Sequence, residues 1–482
     1  MRWMVSVLTG LVCVALTAAS MAEPQRRHVL FIAVDDLRPE LGCYGAAHIH
    51  SPNIDRLAAE EVRFDRAYTP MAICMSARVG LMSGYGPLTG RMYNRGPMSE
   101  HVPDALSMNQ HFMNQGYETV TIGKIYHHAS DEATGWTRNF RSIEGGWGQR
   151  GYVEEASLAV EIPRAEQGLK GPPFESADVG DDGYPTGAFA QRAIEELRGI
   201  GDKPLFLALG FRKPHLPFNA PQKYWDLYDP EEIELSVYPS EPINAPSEAT
   251  SRWGELRTYA GIPTEGPVNE EMARQLIHGY YACISYVDAQ IGRVLDEVDR
   301  LGLRDEIVVV LWSDHGWKLG DYDMWCKYTN YEIDMRIPLI FRSPGMAAAG
   351  RTTDALVDLQ DLYPTLCALA GIETPGHVEG ESLVPLLDDA EAEWRRAVYG
   401  IWARRSADKE RGFIGYTMRT ERYRYTEWRR THGDALLSRE LYDHVAGPLV
   451  SENVVDAPEH AAMMSELAVM LRGGHGKDWA LE

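Results

Sequence analysis

The sequence predicts an α/β protein with a large mixed, mostly parallel sheet flanked by helices, followed by a smaller C-terminal subdomain with an antiparallel sheet. Two unbroken apolar runs, Val29–Val34 and Ile307–Trp312, are typical of central parallel strands, because helices cover both faces of such strands. The segment Glu270–Leu301 carries apolar residues at helical spacing and predicts a long amphipathic helix. From about Gly371 the pattern changes to short aromatic and β-branched runs, which favour an antiparallel sheet.

The remaining elements follow from the same periodicities. Further strands are predicted at 62–68, 118–122, 205–211, 337–341, 397–402, 413–420 and 423–428. Further helices are predicted at 52–61, 104–114, 187–197, 358–370 and 459–471. The helix at 52–61 has Ser51 as its predicted cap and Pro52 at its first position. The segments 130–186 and 228–267 are predicted to be long loops, of which the first shapes the rim of a pocket.

Composition limits the classes of partner. A chain of 482 residues with 44% hydrophobic and 24% charged residues is globular and long enough for one large core and a smaller one. Its formal charge of −23 argues against nucleic acid as a partner, because phosphate backbones are bound by basic surfaces. An anionic substrate must therefore be attracted by a local basic pocket.

The first 22 residues predict a secretory signal peptide. Arg2 precedes the apolar run Val5–Ala19, and small residues then lead to an expected cleavage after Ala22. The run is too short to span a membrane, so we expect a periplasmic or secreted protein with no membrane association after cleavage. Loss of Cys13 leaves five cysteines without paired spacing or a zinc pattern, which predicts no disulfide framework.

Acidic residues directly follow both central strands. Asp35 and Asp36 follow the first strand, and Asp314 and His315 follow the second. Open α/β sheets bind ligands at the carboxyl ends of their strands, and buried carboxylates there need a cation or basic groups. Ligands that are mostly oxygen favour calcium or magnesium over zinc. Taken alone, each acidic pair is equally compatible with a solvated turn.

Basic residues are expected at the same sheet edge. Lys124 and His127 follow a predicted strand, and Lys327 lies shortly after the second acidic pair. His215 lies in the segment Lys213–Phe218, where two prolines stiffen the chain, and a histidine held in this way is a plausible general acid. A single lysine or histidine is ordinarily a surface residue, but their common edge favours a functional site.

The segment Ala72–Gly84 is predicted to be a loop that enters a short helix. If Cys74 lies near the helix start, Arg78 lies one turn later on the same face. Unpaired backbone N–H groups and the guanidinium would then favour a negative charge at Cys74. The alternative is an inert buried thiol among core residues.

This segment resembles the signature of the type I sulfatases, in which a Cys, any residue, usually Pro or Ala, one more residue and an Arg precede Thr/Ser-Gly. Here Ser76 stands where Pro or Ala is usual, and Ala77 replaces a common Ser. Further motifs of the family follow in order along nearly the whole mature chain, and they are most similar to the iduronate-2-sulfatase branch. These motifs are Asp35-Asp36, Gly123-Lys124 with His127, Lys213-Pro214-His215, Ser313-Asp314-His315-Gly316-Trp317, Lys327-Tyr328 and Pro338-Leu339-Ile340-Phe341.

The resemblance implies a sulfuric ester hydrolase with an alkaline-phosphatase-like sandwich, a catalytic domain at 23–370 and a C-terminal subdomain at 371–482. It also implies that a formylglycine-generating enzyme oxidises Cys74 to formylglycine. One calcium ion would be held by Asp35, Asp36, Asp314, His315 and the oxidised Cys74.

The same resemblance implies the roles of the remaining residues. Arg78 and His127 would stabilise the formylglycine hydrate, Lys124 and Lys327 would bind sulfate, and His215 would protonate the leaving alcohol. Arg91 and Trp317 would contact the substrate. The implied substrate is a sulfated polysaccharide or oligosaccharide with a 2-sulfated uronic acid at its end, since a bidentate arginine suits its carboxylate.

Two other functions remain open from the sequence. A phosphate or phosphonate ester hydrolase of the same superfamily would keep the carboxylates that bind the metal. Its nucleophile would be Ser, Thr or a residue in a different sequence context. A non-catalytic glycan-binding relative would keep Cys74 unoxidised and bind without turnover. Ser76 is as small as alanine apart from one hydroxyl, so we expect it to lower the yield of oxidation rather than abolish it.

Overall fold

The computed structural model describes residues 26–86, 97–145, 147–148, 150–404 and 412–476. The strands within these ranges are β1 (His28–Val34), β2 (Val62–Tyr68), β3 (Glu118–Gly123), β4 (Arg138–Phe140), β5 (Phe174–Glu175), β6 (Leu205–Phe211), β7 (Phe218–Asn219), β8 (Ile307–Ser313), β9 (Lys318–Leu319), β10 (Trp325–Cys326), β11 (Arg336–Arg342), β12 (Thr352–Thr353), β13 (Val357–Asp358), β14 (Ala397–Arg404), β15 (Phe413–Thr420), β16 (Tyr423–Arg430) and β17 (Leu436–Asp443).

The α-helices flank these strands or connect them. They are α1 (Pro52–Glu60), α2 (Cys74–Ser83), α3 (Met98–His101), α4 (Met108–Asn114), α5 (Glu155–Ala165), α6 (Pro185–Arg198), α7 (Gln222–Trp225), α8 (Glu270–Arg300), α9 (Glu332–Met335), α10 (Leu362–Ala370), α11 (Val384–Asp388) and α12 (Ala461–Gly474). None of the described helices is long and apolar enough to cross a bilayer.

The large sheet has nine strands in the order β12-β2-β11-β8-β1-β6-β3-β4, with β13 also beside β2. Strand β1 pairs in parallel with both β6 and β8, whereas β11 runs antiparallel to β8 and β2. Alternate residues of β1 enter different cores. Leu30 and Ile32 pack in the layer that contains α8, and Val29 and Phe31 pack in the layer that contains α10. The predicted mixed, mostly parallel sheet with helices on both faces is confirmed.

The second sheet is antiparallel, in the order β14-β15-β16-β17, as predicted for the C-terminal part. Glu332 joins it to the rest of the protein, because its carboxylate accepts hydrogen bonds from Arg419, Arg424 and Tyr68 in a buried cluster. Helix α11, beyond the predicted boundary at residue 371, packs in the same core as α10. The boundary itself stays a prediction.

The predicted strands and helices are present, with differences at weakly patterned segments. Helix α5 lies inside the segment predicted as loop, because it contains Pro163 and leaves Val160 and Ile162 exposed, so its apolar periodicity is weak. Strand β17 was not predicted, since its charged residue Glu440 is buried against the indole N–H of Trp428 and breaks the expected alternation.

The cap of α1 differs from the prediction. Ser51 occupies the cap position, but its hydroxyl donates to Asp55 rather than accepting from the first backbone amides. Those amides, of Asn53 and Ile54, donate to the carboxylate of Asp288 on α8. A side chain from another helix therefore satisfies this helix end.

The cysteines in the described residues are free thiols, namely Cys43, Cys74, Cys283, Cys326 and Cys367. Cys283 and Cys367 lie in the core with no exposed surface, as their positions on apolar helix faces predict.

Candidate active site

The acidic residues that follow β1 and β8 meet at one edge of the large sheet, because these strands are parallel neighbours. The backbone N–H of Asp36 donates to Oδ1 of Asp314 over 3.1 Å. Nε2 of His315 lies 3.3 Å from Asp36 Oδ1 and 3.7 Å from Asp314 Oδ2. These side chains are at most 1% exposed, so the predicted convergence is confirmed as a buried cluster.

Cys74 is the first residue of α2, all of which is buried. Its Sγ lies 3.2 Å from Nε2 of His315, 3.2 Å from Nζ of Lys327 and 3.6 Å from Oδ1 of Asp36. Burial raises the pKa of the Cys74 thiol to about 11 despite the opposing charges of Lys124 and Lys327. The expectation that this helix start favours an anionic thiol is therefore wrong, since desolvation outweighs the local positive charge.

Arg78 does not direct its charge to Cys74. Its Nε donates to Asp314 Oδ2 over 2.9 Å and its Nη2 to Asp35 Oδ1 over 2.8 Å. Its Nη1 donates to the carbonyls of Lys124 and Ile125. The guanidinium thus cross-links two acidic strand ends, which the helical spacing of Cys74 and Arg78 did not predict.

Two lysines complete the charge balance of the cluster. Nζ of Lys124 lies 2.6 Å from Asp35 Oδ2, and Nζ of Lys327 lies 2.8 Å from Asp36 Oδ1. Burial acts to raise the pKa of Asp35, but the charges of Lys124 and Arg78 outweigh it and hold that pKa well below its usual range. Burial raises the pKa of Asp36 to about 7, although His215 and Lys327 oppose the shift.

The donor set suits a hard divalent cation. Donor atoms of Asp36, Cys74, Asp314 and His315 lie within 4.8 Å of one another, and Asp35 belongs to an overlapping group. The raised pKa of Asp36 indicates that the neighbouring basic side chains do not fully offset the cost of burying this third carboxylate. A metal ion with oxygen ligands would supply the missing positive charge.

His215 follows β6 and is held at both ends of its ring. Nδ1 lies 2.6 Å from the carbonyl of Leu216, and Nε2 lies 3.1 Å from Glu255 Oε1. The ammonium of Lys213 donates to the carbonyls of His215 and Pro217, and these hydrogen bonds hold the backbone on both sides of Leu216. The predicted fixed position of His215 is thus achieved mainly by side-chain contacts.

Sequence reasoning did not identify Glu255, which lies in the segment predicted as a loop. Its carboxylate lies 3.1 Å from His215, 3.4 Å from Nζ of Lys327 and 3.7 Å from Nζ of Lys170, and it accepts a 2.7 Å hydrogen bond from Tyr328. Burial opposes its ionisation, but Lys327 and His215 hold the pKa of Glu255 well below its usual range. No local pattern around this residue signals these contacts.

The other predicted residues take different positions. His127 keeps part of its surface exposed, and desolvation of the rest together with the charge of Lys124 lowers its pKa, so its ring is neutral near pH 7. Trp317 is 1% exposed, and its ring lies 5.1 Å from Nζ of Lys327 and 6.4 Å from the ring of His215. Arg91 lies outside the described residues.

A cavity of about 600 Å³ borders one side of this cluster. Asp35, Lys124, His127 and His215 line it, together with three arginines that sequence reasoning did not identify: Arg141, Arg150 and Arg212. Within an acidic protein, this is the local basic pocket that the composition requires for an anionic substrate.

Comparison with known families agrees with this geometry. The family model for sulfatases matches residues 27–372, and the model described as "N-sulphoglucosamine sulphohydrolase, C-terminal" matches residues 320–475. The chain is 30% identical to the iduronate 2-sulfatase of Mus musculus, with 96% of this chain and 97% of the relative covered. It is also 30% identical to the iduronate 2-sulfatase of Homo sapiens, with 94% and 95% covered.

Solved structures share the fold. A phosphonate monoester hydrolase from Silicibacter pomeroyi superposes with a TM-score of 0.75 at 23% identity and covers 93% of this chain and 95% of its own. BT4656 in complex with D-glucosamine-2-N,6-O-disulfate superposes with a TM-score of 0.74 at 22% identity and covers 94% and 98%. These likenesses confirm the predicted fold class. Because the family model matches well over half of the sequence, the chain belongs to the sulfatase family and is a sulfuric ester hydrolase.

Proposed function

We propose that this sulfatase removes the 2-O-sulfate of a uronic acid at the end of a sulfated polysaccharide or oligosaccharide. The observation that carries the proposal is the 30% identity to two iduronate 2-sulfatases, across 96% and 94% of the chain. The basic cavity lined by Asp35, Lys124 and His215 supports an anionic substrate. Arg91, outside the described residues, is the proposed contact for the uronate carboxylate, because a guanidinium binds a carboxylate in a bidentate manner.

The residues present can accommodate the two groups that the family uses, formylglycine and calcium. We propose that Cys74 is oxidised to formylglycine by a formylglycine-generating enzyme, since a buried thiol with a pKa of about 11 is a poor nucleophile near neutral pH. The hydrated aldehyde at position 74 would supply two hydroxyl groups, one as the nucleophile toward sulfur and one that would allow the aldehyde to be restored as sulfate leaves. Asp35, Asp36, Asp314 and His315 would hold a calcium ion, which when bound would offset negative charge on the substrate's sulfate.

The chain's own side chains bind and protonate the substrate. Nζ of Lys327 lies 3.2 Å from Cys74 Sγ, and the charge of Lys124 also acts on this thiol, so both ammonium groups can hold the sulfate oxygens. His215 lines the cavity and donates the proton of Nε2 to the leaving sugar oxygen, which replaces Glu255 as the partner of that nitrogen, while the carbonyl of Leu216 holds Nδ1. His127, neutral on the cavity wall, offers a hydrogen bond.

Two predicted contacts are modified in this proposal. All the described hydrogen bonds of Arg78 go to Asp35, Asp314 and backbone carbonyls, so we assign it to holding the acidic cluster rather than to direct contact with the formylglycine. Trp317 is buried against Lys327, and we assign it to supporting that ammonium beside the substrate.

The proposed cellular context rests on the sequence. We propose that the signal peptide ends at Ala22 and that the mature enzyme is periplasmic or secreted, where sulfated polysaccharides are accessible. We also propose a catalytic domain at 23–370 and a C-terminal subdomain at 371–482.

Parallel assays test the substrate. Purified holoenzyme is given a disaccharide with a terminal 2-sulfated uronate, the same compound with its carboxylate reduced to an alcohol, a 6-sulfated N-acetylglucosamine and an aryl phosphonate monoester. We expect kcat/KM for the first to exceed each of the others by at least about 100-fold. Equal rates on the 6-sulfated sugar would contradict the uronate assignment. Preference for the phosphonate would instead support the esterase alternative.

A further inference from the structure

A second cavity, of about 910 Å³, lies beside the candidate active site and takes no part in the reaction proposed above. Glu255 lines this cavity, and His215 lines the first one. Because these two side chains are 3.1 Å apart, the two cavities lie next to each other at this contact. Tyr328, which follows Lys327 and donates to Glu255, also lines the second cavity.

The charged lining of this cavity is mostly basic. It contains Lys170, Arg252 and Arg404, against the single carboxylate of Glu255, which already contacts Lys327. Among the described residues, neither Arg252 nor Arg404 forms a salt bridge with a carboxylate. Burial lowers the pKa of Arg404, and the charge of Arg252 lowers it further, while Glu248 partly offsets both. An anion between the two guanidinium groups would relieve this repulsion.

Aromatic side chains form another part of the lining. Trp253, Tyr328 and Trp402 lie around the cavity, and the rings of Tyr328 and Trp402 are 5.6 Å apart. The indole N–H of Trp402 has no hydrogen-bond partner among the described residues. Aromatic rings and two guanidinium groups in one cavity suit a ligand that has both an apolar face and an anionic substituent. A sulfated or carboxylated pyranose has both.

We propose that this second cavity binds the sugar adjacent to the terminal residue, and that Arg252 and Arg404 hold the sulfate or carboxylate of that sugar. The inference rests on the proposed function, because it assumes a saccharide substrate with more than one anionic residue. The site would make the enzyme selective for chains over single sugars, since the second sugar adds binding energy that a monosaccharide lacks. The geometry favours this position because Glu255 joins the cavity to the proposed proton donor His215.

A kinetic comparison tests the inference. Arg252→Ala and Arg404→Ala are each assayed with p-nitrophenyl sulfate and with a trisaccharide that has a terminal 2-sulfated uronate and a sulfated second sugar. We expect each substitution to lower the ratio of kcat/KM for the trisaccharide to that for the aryl ester by about tenfold, mainly through KM. Arg351→Ala, at an exposed arginine directly before β12, is the matched control and should leave the ratio unchanged. A ratio within about twofold of wild type in both variants would overturn the inference.

Binding without turnover separates this inference from the proposed function. Cys74→Ala protein loaded with calcium is titrated with glucosamine 6-sulfate and with inorganic sulfate, with and without the Arg404→Ala substitution. Binding of the sugar that depends on Arg404 supports the site even if no 2-sulfated uronate is hydrolysed, in which case only the proposed function fails. Equal affinity for inorganic sulfate would overturn a sugar site. Hydrolysis of the trisaccharide with an unchanged ratio would leave the proposed function intact and refute the second cavity.

Discussion

Nε2 of His215 lies 3.1 Å from a carboxylate oxygen of Glu255, a residue 40 positions further along the chain in an irregular segment. The other ring nitrogen lies 2.6 Å from the carbonyl of Leu216. The imidazole is therefore oriented from both ends. Glu255 acts as a positioning residue that holds Nε2 of the proposed proton donor in place until the leaving oxygen of the substrate replaces it. The same carboxylate contacts Lys327, so it connects the proposed proton donor His215 to a proposed sulfate-binding residue.

We first predict that Glu255→Gln slows the hydrolysis of sugar sulfates more than the hydrolysis of aryl sulfates. A sugar alcohol is a poor leaving group and needs protonation by His215, whereas a phenol leaves with little help. We expect kcat on a sulfated sugar to fall by roughly tenfold to a hundredfold and the loss on p-nitrophenyl sulfate to be smaller. Steady-state kinetics on both substrates measure this. Glu265→Gln, at an exposed position of the same loop, is the control, and equal losses on both substrates would show a merely structural role.

The second prediction concerns the metal. Acidic residues from two strand ends lie together in a buried cluster, so thorough chelation should abolish activity and added calcium should restore it. Asp314→Asn should lower kcat/KM by at least about a hundredfold and lower the bound calcium measured by elemental analysis. The control is Asp296→Asn at an exposed residue of α8. Full activity after chelation, or in Asp314→Asn, would refute the metal site.

The third prediction is that Cys74 is converted to formylglycine in spite of Ser76. Peptide mass spectrometry of protein from its native host should show the aldehyde at position 74, and Ser76→Ala should raise the converted fraction by restoring a residue usual in the signature. Cys74→Ala cannot be converted and gives the background of the sulfate-release assay. An intact thiol with no sulfate release would favour the glycan-binding alternative, and an intact thiol with full activity would refute the mechanism.

The fourth prediction concerns the pH dependence of stability. Burial raises the pKa of Asp288 from 3.8 to about 6, so the native carboxyl binds its proton more tightly than the unfolded one. Its contribution to the free energy of unfolding is therefore greatest below about pH 4 and is lost as the pH rises through about 6, on the order of 2–3 kcal/mol in all. Asp288→Asn should remove this part of the pH dependence of the free energy of unfolding.

Thermal unfolding midpoints at about pH 4 and about pH 7 measure this difference. The advantage of wild type over Asp288→Asn should be larger at the lower pH, whereas Asp296→Asn on the same helix should differ from wild type equally at both. An advantage that grows with pH would contradict the assigned shift.

Much of the fold could be predicted because its signals are local. The apolar run of β1 and the helical spacing in α8 each report burial over a few consecutive residues. Helix α5 and strand β17 were missed for the opposite reason, since Pro163 and the buried Glu440 break the local pattern.

Part of the site could also be predicted. Once β1 and β8 are parallel neighbours, their carboxyl ends must lie at one edge, so Asp35 and Asp314 had to converge. The sequence by itself therefore determined which acidic residues form the site and at which edge of the sheet they lie.

The tertiary structure alone decided which groups pair and how they ionise. Arg78 bonds Asp314 across 236 positions of sequence, and Asp288 caps a helix that begins more than 230 positions earlier. No spacing rule encodes such contacts, because they depend on how separate elements pack. The raised pKa of Cys74 has the same origin: desolvation is set by the atoms that surround the thiol in the folded protein, and these come from distant segments of the chain.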